Sequence, residues 1–337
     1  MEHCHFPVHI ECALRTDVDE NAIRKSILEM LTDSVCCFED GPINYIEYPE
    51  LCEHLSFIVV CDLGPGVSVS YWEAHLVLHV FRMIEAEGQK DYLENSDSLP
   101  ACEQWVLPCL ALCTSLWDSV IVERDVKSQL LGYAAATTML ADRNVDKDIV
   151  SWNRMILLHG PPGTGKTTLC RALAQKIFIH SDPGRFQSGV LVEINSHSLF
   201  SKWFSESGKL VMQLFEHIEE LAEDPNCFVA VLIDEVESLA ASRAGLGAEP
   251  GDATRSVNAV LTSLDALRHR SNIIVLCTSN LAHGIDEAFL DRLDLCLEIG
   301  LPGLAARHQI LLSCLHELIR KGIVLEPSHT SGTNVNQ

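Results

Sequence analysis

A glycine-rich segment that ends in lysine and threonine contains residue types that bind a nucleotide phosphate. Residues 159–168 read HGPPGTGKTT, and residues 160–167 match the P-loop template G-x-x-x-x-G-K-[ST] at every fixed position. Glycines let successive backbone N–H groups converge on one anion, and the lysine supplies a charge for the β- and γ-phosphates of ATP. The predicted nucleotide-binding residues are Gly160, Pro161, Pro162, Gly163, Thr164, Gly165, Lys166, Thr167 and Thr168.

Two adjacent carboxylates after a second apolar segment could complete a hydrolytic site. Residues 229–238 read VAVLIDEVES, which is typical of a buried strand that ends in Asp234 and Glu235. Asp234 could hold a Mg²⁺ ion that the hydroxyl of Thr167 also contacts, which leaves Glu235 to activate a water molecule. A small-molecule kinase has no use for that glutamate, so the pair predicts an ATP hydrolase. A strand capped by solvated acids is the alternative.

Two further residues are candidates for the same chemistry. Asn280 follows the apolar run 272–277 and could hydrogen-bond the γ-phosphate or the attacking water. Arg292 follows a short amphipathic segment and could reach the active site of an adjacent subunit if subunits form a ring. A surface ion pair between Arg292 and Asp291 or Asp294 is the alternative for this arginine.

The predicted site needs strands and helices that hold these loops. Residues 155–158 (MILL) predict a buried strand before the P-loop, and residues 169–178 predict a helix after it, with its N-terminal dipole facing the phosphates. Another helix is expected at residues 126–140, a strand at 295–299 and an amphipathic helix at 305–319. This order of strand, loop and helix fits the P-loop motif.

Together, GPPGTGKT, LIDE, TSN and DR resemble the AAA+ ATPases. Residues 194–210 (INSHSLFSKWFSESGKL) resemble the pore loop with which the remodelling branch of these ATPases grips a polypeptide. The resemblance assigns this role to Lys202, Trp203 and Phe204, because an exposed aromatic pair can contact unfolded segments of many sequences. Half-buried packing of the two aromatic side chains is the alternative.

From about residue 105 to about residue 315 the sequence most resembles the family of pachytene checkpoint protein 2, also called thyroid receptor-interacting protein 13. The resemblance implies an α/β fold: a P-loop AAA+ parallel-sheet ATPase core with a small α/β N-terminal domain and, in this sequence, an incomplete helical lid. It also implies a hexamer that uses ATP and Mg²⁺ to unfold part of HORMA-domain proteins, in some cases with a HORMA adaptor. The implied settings are the mitotic spindle assembly checkpoint and meiotic chromosome-axis and recombination control, in the nucleus and cytoplasm.

The expected domains are an N-terminal substrate- and adaptor-recognition domain (residues 1–100), the large ATPase subdomain (101–300) and a truncated lid remnant with a polar tail (301–337). An incomplete lid leaves open a second function, that of a nucleotide-binding but hydrolysis-defective isoform acting as a binding or dominant-negative subunit. In the N-terminal domain, alternating apolar residues predict a half-buried strand, followed by a helix capped by Thr16 or Asp17. The strand residues are Val8, Ile10, Cys12 and Leu14, and those of the helix face are Ile23, Ile27, Leu28 and Leu31.

The composition of the chain argues against several classes of binding partner and cellular location. The 337-residue chain has a formal net charge of −23, which argues against direct binding to nucleic acid and against a DNA-directed AAA+ loader or helicase. No apolar run approaches the roughly 18 residues of a membrane span, and no secretory signal is evident. The 14 cysteines are expected to be reduced thiols. A zinc site is conceivable but disfavoured, because its candidate ligands have no standard spacing; these are His3, Cys4, His5, His9 and Cys12.

Overall fold

A computed structural model describes residues 6–64, 66–85, 88–91, 102–112, 115–122, 124–143, 145–146, 149–182, 184–195, 207–237, 250–281 and 285–324. Within these ranges the chain forms two units, each built on its own main sheet. The predicted pore-loop residues Lys202, Trp203 and Phe204 and the polar tail after residue 324 lie outside the described residues.

The N-terminal unit is a small α/β domain, as predicted. Its sheet has the order β3-β4-β1-β6, in which β1 pairs antiparallel with β4 and parallel with β6. Two short strands, β2 and β5, pair separately. The elements are β1 (Phe6–Leu14), α1 (Glu20–Ser34), β2 (Cys37–Phe38), β3 (Gly41–Pro42), α2 (Pro49–His54), β4 (Leu55–Cys61), β5 (Val69–Ser70) and β6 (Ala74–Arg82).

The first helix differs in two details from its sequence prediction. Its N-cap is Asp19, whose Oδ1 accepts a hydrogen bond from the backbone N–H of Asn21 at 3.0 Å, so the caps predicted at Thr16 or Asp17 were wrong. The predicted face was wrong at Leu28, which is 42% exposed. The buried face consists of Ile23, Ile27, Met30 and Leu31, because residues spaced by three and four positions share one side of a helix.

The second unit contains the predicted ATPase core. Its described strands form a seven-stranded sheet of order β13-β9-β12-β11-β10-β8-β7, in which the five strands from β13 to β10 are parallel. Its elements are β7 (Gln89–Asp91), β8 (Cys102–Leu107), α3 (Ser115–Ser119), α4 (Arg124–Asp142), β9 (Met155–His159), α5 (Lys166–His180), β10 (Ser188–Asn195), α6 (Ser207–Leu221), β11 (Cys227–Asp234), α7 (Pro250–Leu267), β12 (Ile273–Ser279), α8 (Glu287–Leu290), β13 (Leu295–Glu298) and α9 (Leu304–Arg320).

Helices cover both faces of this sheet, which is the reason its central strands are continuously apolar. Residues of α6 and α7 pack in one core cluster, and residues of α4 and α5 pack in the other. Strands β11 and β12 are buried along almost their whole length. The carboxyl ends of β9, β11 and β12 therefore meet at one edge of the sheet, where α/β proteins bind ligands.

The boundary between the two units differs from the one predicted at residue 100. Strand β7, at residues 89–91, was assigned to the N-terminal domain, but it pairs antiparallel with β8 at the edge of the ATPase sheet. Because these backbone hydrogen bonds extend the larger sheet, the N-terminal unit ends before residue 89 rather than at residue 100.

The last described helix, α9, confirms the amphipathic helix expected at residues 305–319. Several of its apolar side chains are partly or largely exposed in the described structure; these are Leu311 (69%), Leu312 (37%), Leu315 (40%) and Leu318 (39%). The described cysteines are free thiols. Among the helices that the structure describes, none combines the length and the apolar character needed to cross a membrane.

Candidate nucleotide-binding and hydrolysis site

The P-loop connects the end of β9 to the start of α5. Gly160, Gly163 and Gly165 have φ angles of 142°, 78° and 88°, in the region that glycine adopts without strain. At Gly160 the backbone lies against Ile299, the residue that follows β13, and a Cβ atom there would be 2.2 Å from the carbonyl oxygen of Ile299. Gly165 is the N-cap of α5, so the first-turn N–H groups of this helix face the loop. The loop has the backbone geometry of an anion cradle.

Lys166 lies inside this cradle. Its residue is 5% exposed, and its Nζ donates hydrogen bonds to the carbonyl oxygens of Gly160 and Pro161, both at 2.8 Å. Burial lowers the pKa of Lys166, and the nearby carboxylates of Glu237 and Asp234 oppose that shift. The ammonium group is thus held among the backbone atoms that would surround a phosphate.

Asp234 is brought to the P-loop helix by the end of β11. Its Oδ1 accepts a hydrogen bond from the Thr167 hydroxyl at 2.9 Å, and the Thr278 hydroxyl donates to the same oxygen. Hydroxyl and carboxylate oxygens are the ligands that Mg²⁺ prefers. The structure therefore brings together the two predicted metal ligands, and it adds Thr278, whose side chain was not predicted to take part.

Glu235 occupies an unusual backbone conformation directly after Asp234. Its φ is 57°. Positive φ angles are uncommon in residues other than glycine, and the residues that adopt them cluster at functional sites. The turn is fixed by Thr278, whose Oγ1 accepts from the N–H of Glu235 at 3.2 Å and whose carbonyl accepts from Val236 at 2.9 Å. As a result Asp234 is half-buried beside Thr167, whereas Glu235 is exposed to solvent.

Asn280 follows β12 at the same edge of the sheet. Its backbone N–H donates to Oε1 of Glu237 at 3.0 Å, which links the loop after β12 to the loop after β11. Glu237 was not among the predicted residues, although it belongs to the same VAVLIDEVES segment. The sequence feature that could have identified Glu237 is its position, two residues after the predicted catalytic carboxylate.

Arg292 pairs with neither of the aspartates named in the alternative. Its Nε and Nη2 atoms donate to Oδ1 and Oδ2 of Asp265 on α7, at 2.8 Å and 2.6 Å. Asp294 instead accepts hydrogen bonds from the Tyr133 hydroxyl and from the backbone N–H groups of residues 153 and 154. The alternative was right that the arginine is paired, but its partner comes from another helix.

The position of Arg292 separates it from the P-loop of its own chain. Strands β13 and β9 are parallel, with Leu295 opposite Ile156 and Glu298 opposite His159. Arg292 precedes β13 and so lies at the amino edge of the sheet, whereas the P-loop follows β9 at the carboxyl edge. The structure therefore does not bring Arg292 together with Lys166, Asp234, Glu235 and Asn280.

An open cleft of about 2230 Å³ lies beside the P-loop. It runs between the N-terminal unit, α4 and the start of α9, and it is large enough for a nucleotide. The residues around it that adjoin the P-loop include Ile121, Val122, Gly163, Gly165, Thr168 and Pro302.

The far end of α5 contacts the N-terminal unit through buried charges. The Nζ atom of Lys176 lies 2.7 Å from Oε1 of Glu11 and 3.0 Å from Oδ2 of Asp62, and Nε2 of His180 lies 2.8 Å from the same Glu11 oxygen. Burial alone would raise the pKa of Glu11, but the contacts with His180 and Lys176 lower it to about 2. One helix thus joins the nucleotide site to the N-terminal unit.

Of the five candidate zinc ligands, the structure describes two, His9 and Cys12, and these two do not converge. His9 and Cys12 are three positions apart on β1, so their side chains face opposite sides of the sheet. His9 faces the ATPase unit, where its Nδ1 lies 2.9 Å from Nε2 of His79, and the rings of His79 and His180 stack with centroids 4.1 Å apart. Residues 3–5 lie outside the described residues.

Comparisons with known proteins agree with this geometry. Residues 156–301 match the model of the ATPase family associated with various cellular activities (AAA), and residues 3–86 match that of the TRIP13 N-terminal domain. The pachytene checkpoint protein 2 homolog of Canis lupus familiaris is 43% identical over 326 residues, which cover 94% of this chain and 75% of the relative. That of Arabidopsis thaliana is 44% identical over 329 residues, covering 95% and 70%.

Two solved structures are similar as well. The structure of C. elegans PCH-2 superposes with a TM-score of 0.79 at 35% identity, covering 96% of this chain and 81% of that one. The structure of the E. coli MS115-1 HORMA:CdnC:Trip13 complex shares the fold, with a TM-score of 0.52 at 19% identity, covering 67% and 81%. The chain therefore belongs to the pachytene checkpoint protein 2 family of AAA+ ATPases and is an ATP-hydrolysing enzyme.

Proposed function

We propose that this enzyme uses ATP hydrolysis to unfold part of HORMA-domain proteins. The observation that carries the proposal is the union, in one chain, of a TRIP13 N-terminal domain with the P-loop, the Asp234–Glu235 pair and Asn280. A bacterial Trip13 protein of the same fold has been solved in a complex with a HORMA protein, which supports this class of substrate.

The residues around the P-loop fit ATP and Mg²⁺. The P-loop glycines have positive φ angles that leave the loop's N–H groups free to face an anion, and Thr167 and Asp234 offer oxygen ligands 2.9 Å apart. When bound, Mg²⁺ neutralises charge on the β- and γ-phosphates. Lys166 binds the same phosphates, Asn280 orients the attacking water and Glu235 takes its proton.

A hexameric ring would give Arg292 its role. At the amino edge of the sheet this arginine is remote from the P-loop of its own chain, so its guanidinium would act on the ATP of the adjacent subunit. Arginines supplied in this way accelerate hydrolysis by about 10³–10⁵-fold.

Two regions would transmit hydrolysis to the substrate. Residues 196–206 connect β10 to α6 and include Lys202, Trp203 and Phe204, which we assign to gripping the polypeptide in the ring channel. The N-terminal unit would recognise the HORMA protein and its adaptor, and its buried contact with Lys176 places it against the helix that follows the P-loop.

From the resemblance to this family we also propose a setting in the spindle assembly checkpoint and in meiotic chromosome-axis and recombination control, in the nucleus and cytoplasm. The net charge of −23 supports proteins rather than nucleic acid as direct partners.

The proposal is tested by following release of a fluorescent partner peptide from a closed HORMA protein. Release should require ATP and should stop in Glu235→Gln and in Trp203→Ala, whereas Trp203→Phe, which keeps an aromatic ring, should retain most of it. If the wild-type chain releases the peptide no faster than Glu235→Gln does, HORMA remodelling is excluded as its activity.

A further inference from the structure

The guanidinium of Arg292 is held between two helices that are themselves fixed in the core. On α7, the residues Val257, Val260 and Leu264 are buried, and on α8 the residue Phe289 is 2% exposed in the same cluster. The Asp286 side chain caps α8 through the N–H of Ala288 at 2.9 Å. Both backbones that carry the Arg292–Asp265 pair are therefore anchored, which makes the orientation of the pair a property of the fold.

The contacts leave one edge of the guanidinium for a ligand. An arginine has five N–H donors in a planar fork. Among the described residues, Asp265 accepts from Nε and Nη2, and the carbonyl of Ala288 accepts from Nη1. The remaining donors are on Nη1 and Nη2, and this end-on edge matches two oxygens of a phosphate.

The pair is also accessible from outside the subunit. The side chains of Arg292 and Asp265 are 26% and 50% exposed. Since the pair lies at the edge of the sheet opposite the P-loop of its own chain, the phosphate that it could meet belongs to another subunit.

We propose that Asp265 is a positioning residue for Arg292: its carboxylate orients the guanidinium so that the end-on edge meets the γ-phosphate bound to the adjacent subunit. This inference rests on the proposed function, because it needs the ring and the trans role of Arg292. Without Asp265 the long side chain would sample several rotamers, and fewer of its encounters with the phosphate would be productive.

The first test compares steady-state kinetics of single variants. Asp265→Asn should lower kcat about tenfold with the KM for ATP unchanged, since Asp265 touches no part of its own nucleotide site, and Asp265→Glu should recover part of the loss. Glu317→Gln is the matched control, because Glu317 also forms a bidentate pair with an exposed arginine, Arg320, at 2.6 Å and 2.8 Å. That control should keep wild-type turnover. Equal kcat in Asp265→Asn and wild type would overturn the proposal.

Mixed rings separate the failure of this inference from that of the proposed function. Arg292→Ala subunits keep their P-loop, and Lys166→Ala subunits keep their arginine, so mixing the two should restore turnover if Arg292 acts in trans. Adding Asp265→Asn to the Lys166→Ala subunit should lower the restored turnover about tenfold. Full restoration by the double variant would exclude the positioning role of Asp265 without contradicting the ring or the trans role of Arg292. No restoration in the first mixture would exclude the trans role itself, and the inference with it.

Discussion

The Nζ atom of Lys176 lies 2.7 Å from Oε1 of Glu11, and this contact joins the helix that starts at the P-loop to the first strand of the N-terminal unit. Both side chains are buried, with exposed fractions of 6% and 8%. Because α5 extends from Lys166 to His180, its first residue lies in the nucleotide site and its last turn contacts the N-terminal unit. A rotation of this helix would therefore displace both Lys166 in the nucleotide site and the contact with the N-terminal unit.

Breaking the buried pair should cost much more stability than breaking a surface pair. Glu11→Gln leaves the Lys176 charge with Asp62 as its carboxylate contact, so we expect the free energy of unfolding to fall by about 3 kcal/mol. The control is Glu29→Gln, whose pair with Lys25 is exposed and should contribute less than about 0.5 kcal/mol. Urea unfolding measures both. Equal losses in the two variants would contradict the structure.

His79 should make the folded protein sensitive to mild acid. Burial, together with the neighbouring His180 and His9, lowers the pKa of His79 to about 3, against about 6.5 in an unfolded chain. Between these values His79 binds a proton in the unfolded state but not in the folded state. The free energy of unfolding therefore keeps its full value above about pH 6.5, as far as His79 is concerned, and falls as the pH drops toward 3. The expected slope is about 1 kcal/mol per pH unit.

The measurement is the free energy of unfolding at pH 6.5 and pH 5, a window above most carboxylate titrations. In His79→Gln the slope over that window should be smaller than in the wild type, with His9, whose pKa is also lowered by burial, accounting for part of what remains. The same slope in both proteins would show that His79 is not held neutral.

Gly160 should tolerate no side chain. Its φ of 142° and the 2.2 Å approach to the carbonyl oxygen of Ile299 mean that Gly160→Ala requires the loop or β13 to move. We expect a loss of about 3 kcal/mol and loss of nucleotide binding, measured by thermal unfolding and fluorescent-nucleotide titration. Gly132→Ala is the opposite control, since Gly132 lies in α4 with open space around it and alanine favours helix by about 1 kcal/mol. A stable, nucleotide-binding Gly160→Ala protein would refute the loop geometry.

Thr278 should matter for turnover although it carries no catalytic group. Its hydroxyl donates to Asp234 and accepts from the N–H of Glu235, so Thr278→Val removes support from both carboxylate residues at once. Loss of such outer contacts typically costs about 10–100-fold in activity. We expect that loss in kcat, with nucleotide affinity retained, while Thr278→Ser, which keeps the hydroxyl, remains near the wild type. Full activity in Thr278→Val would show that the contact is incidental.

The sequence predicted the elements of the site where local patterns determine them. The P-loop glycines, the apolar runs before and after them, and Asp234 at the end of a strand are short-range signals, and parallel strands bring their carboxyl ends together. The contact between Thr167 and Asp234 follows from that rule without further information.

Other features depend on packing between distant segments and had no local signal. Asp265 lies 27 positions from Arg292, and only the docking of α7 beside α8 makes them partners. Strand β1 was predicted to be half-buried, but Glu11 and Ala13 on its second face are buried too, because the ATPase unit covers that face. Likewise, β7 pairs with β8 at the edge of the larger sheet, and the composition of this segment does not predict which sheet it joins.

The first measurement to make is steady-state ATP turnover by the purified chain, because it shows whether Lys166, Asp234 and Glu235 form a working hydrolytic site; Lys166→Ala and Glu235→Gln are the controls. Lys166→Ala removes the phosphate-binding charge, and Glu235→Gln removes the group that takes a proton from water while leaving the loop intact. We expect turnover in the wild type that both substitutions abolish, with ATP still bound by Glu235→Gln. Wild-type turnover no greater than that of the two variants would contradict this expectation.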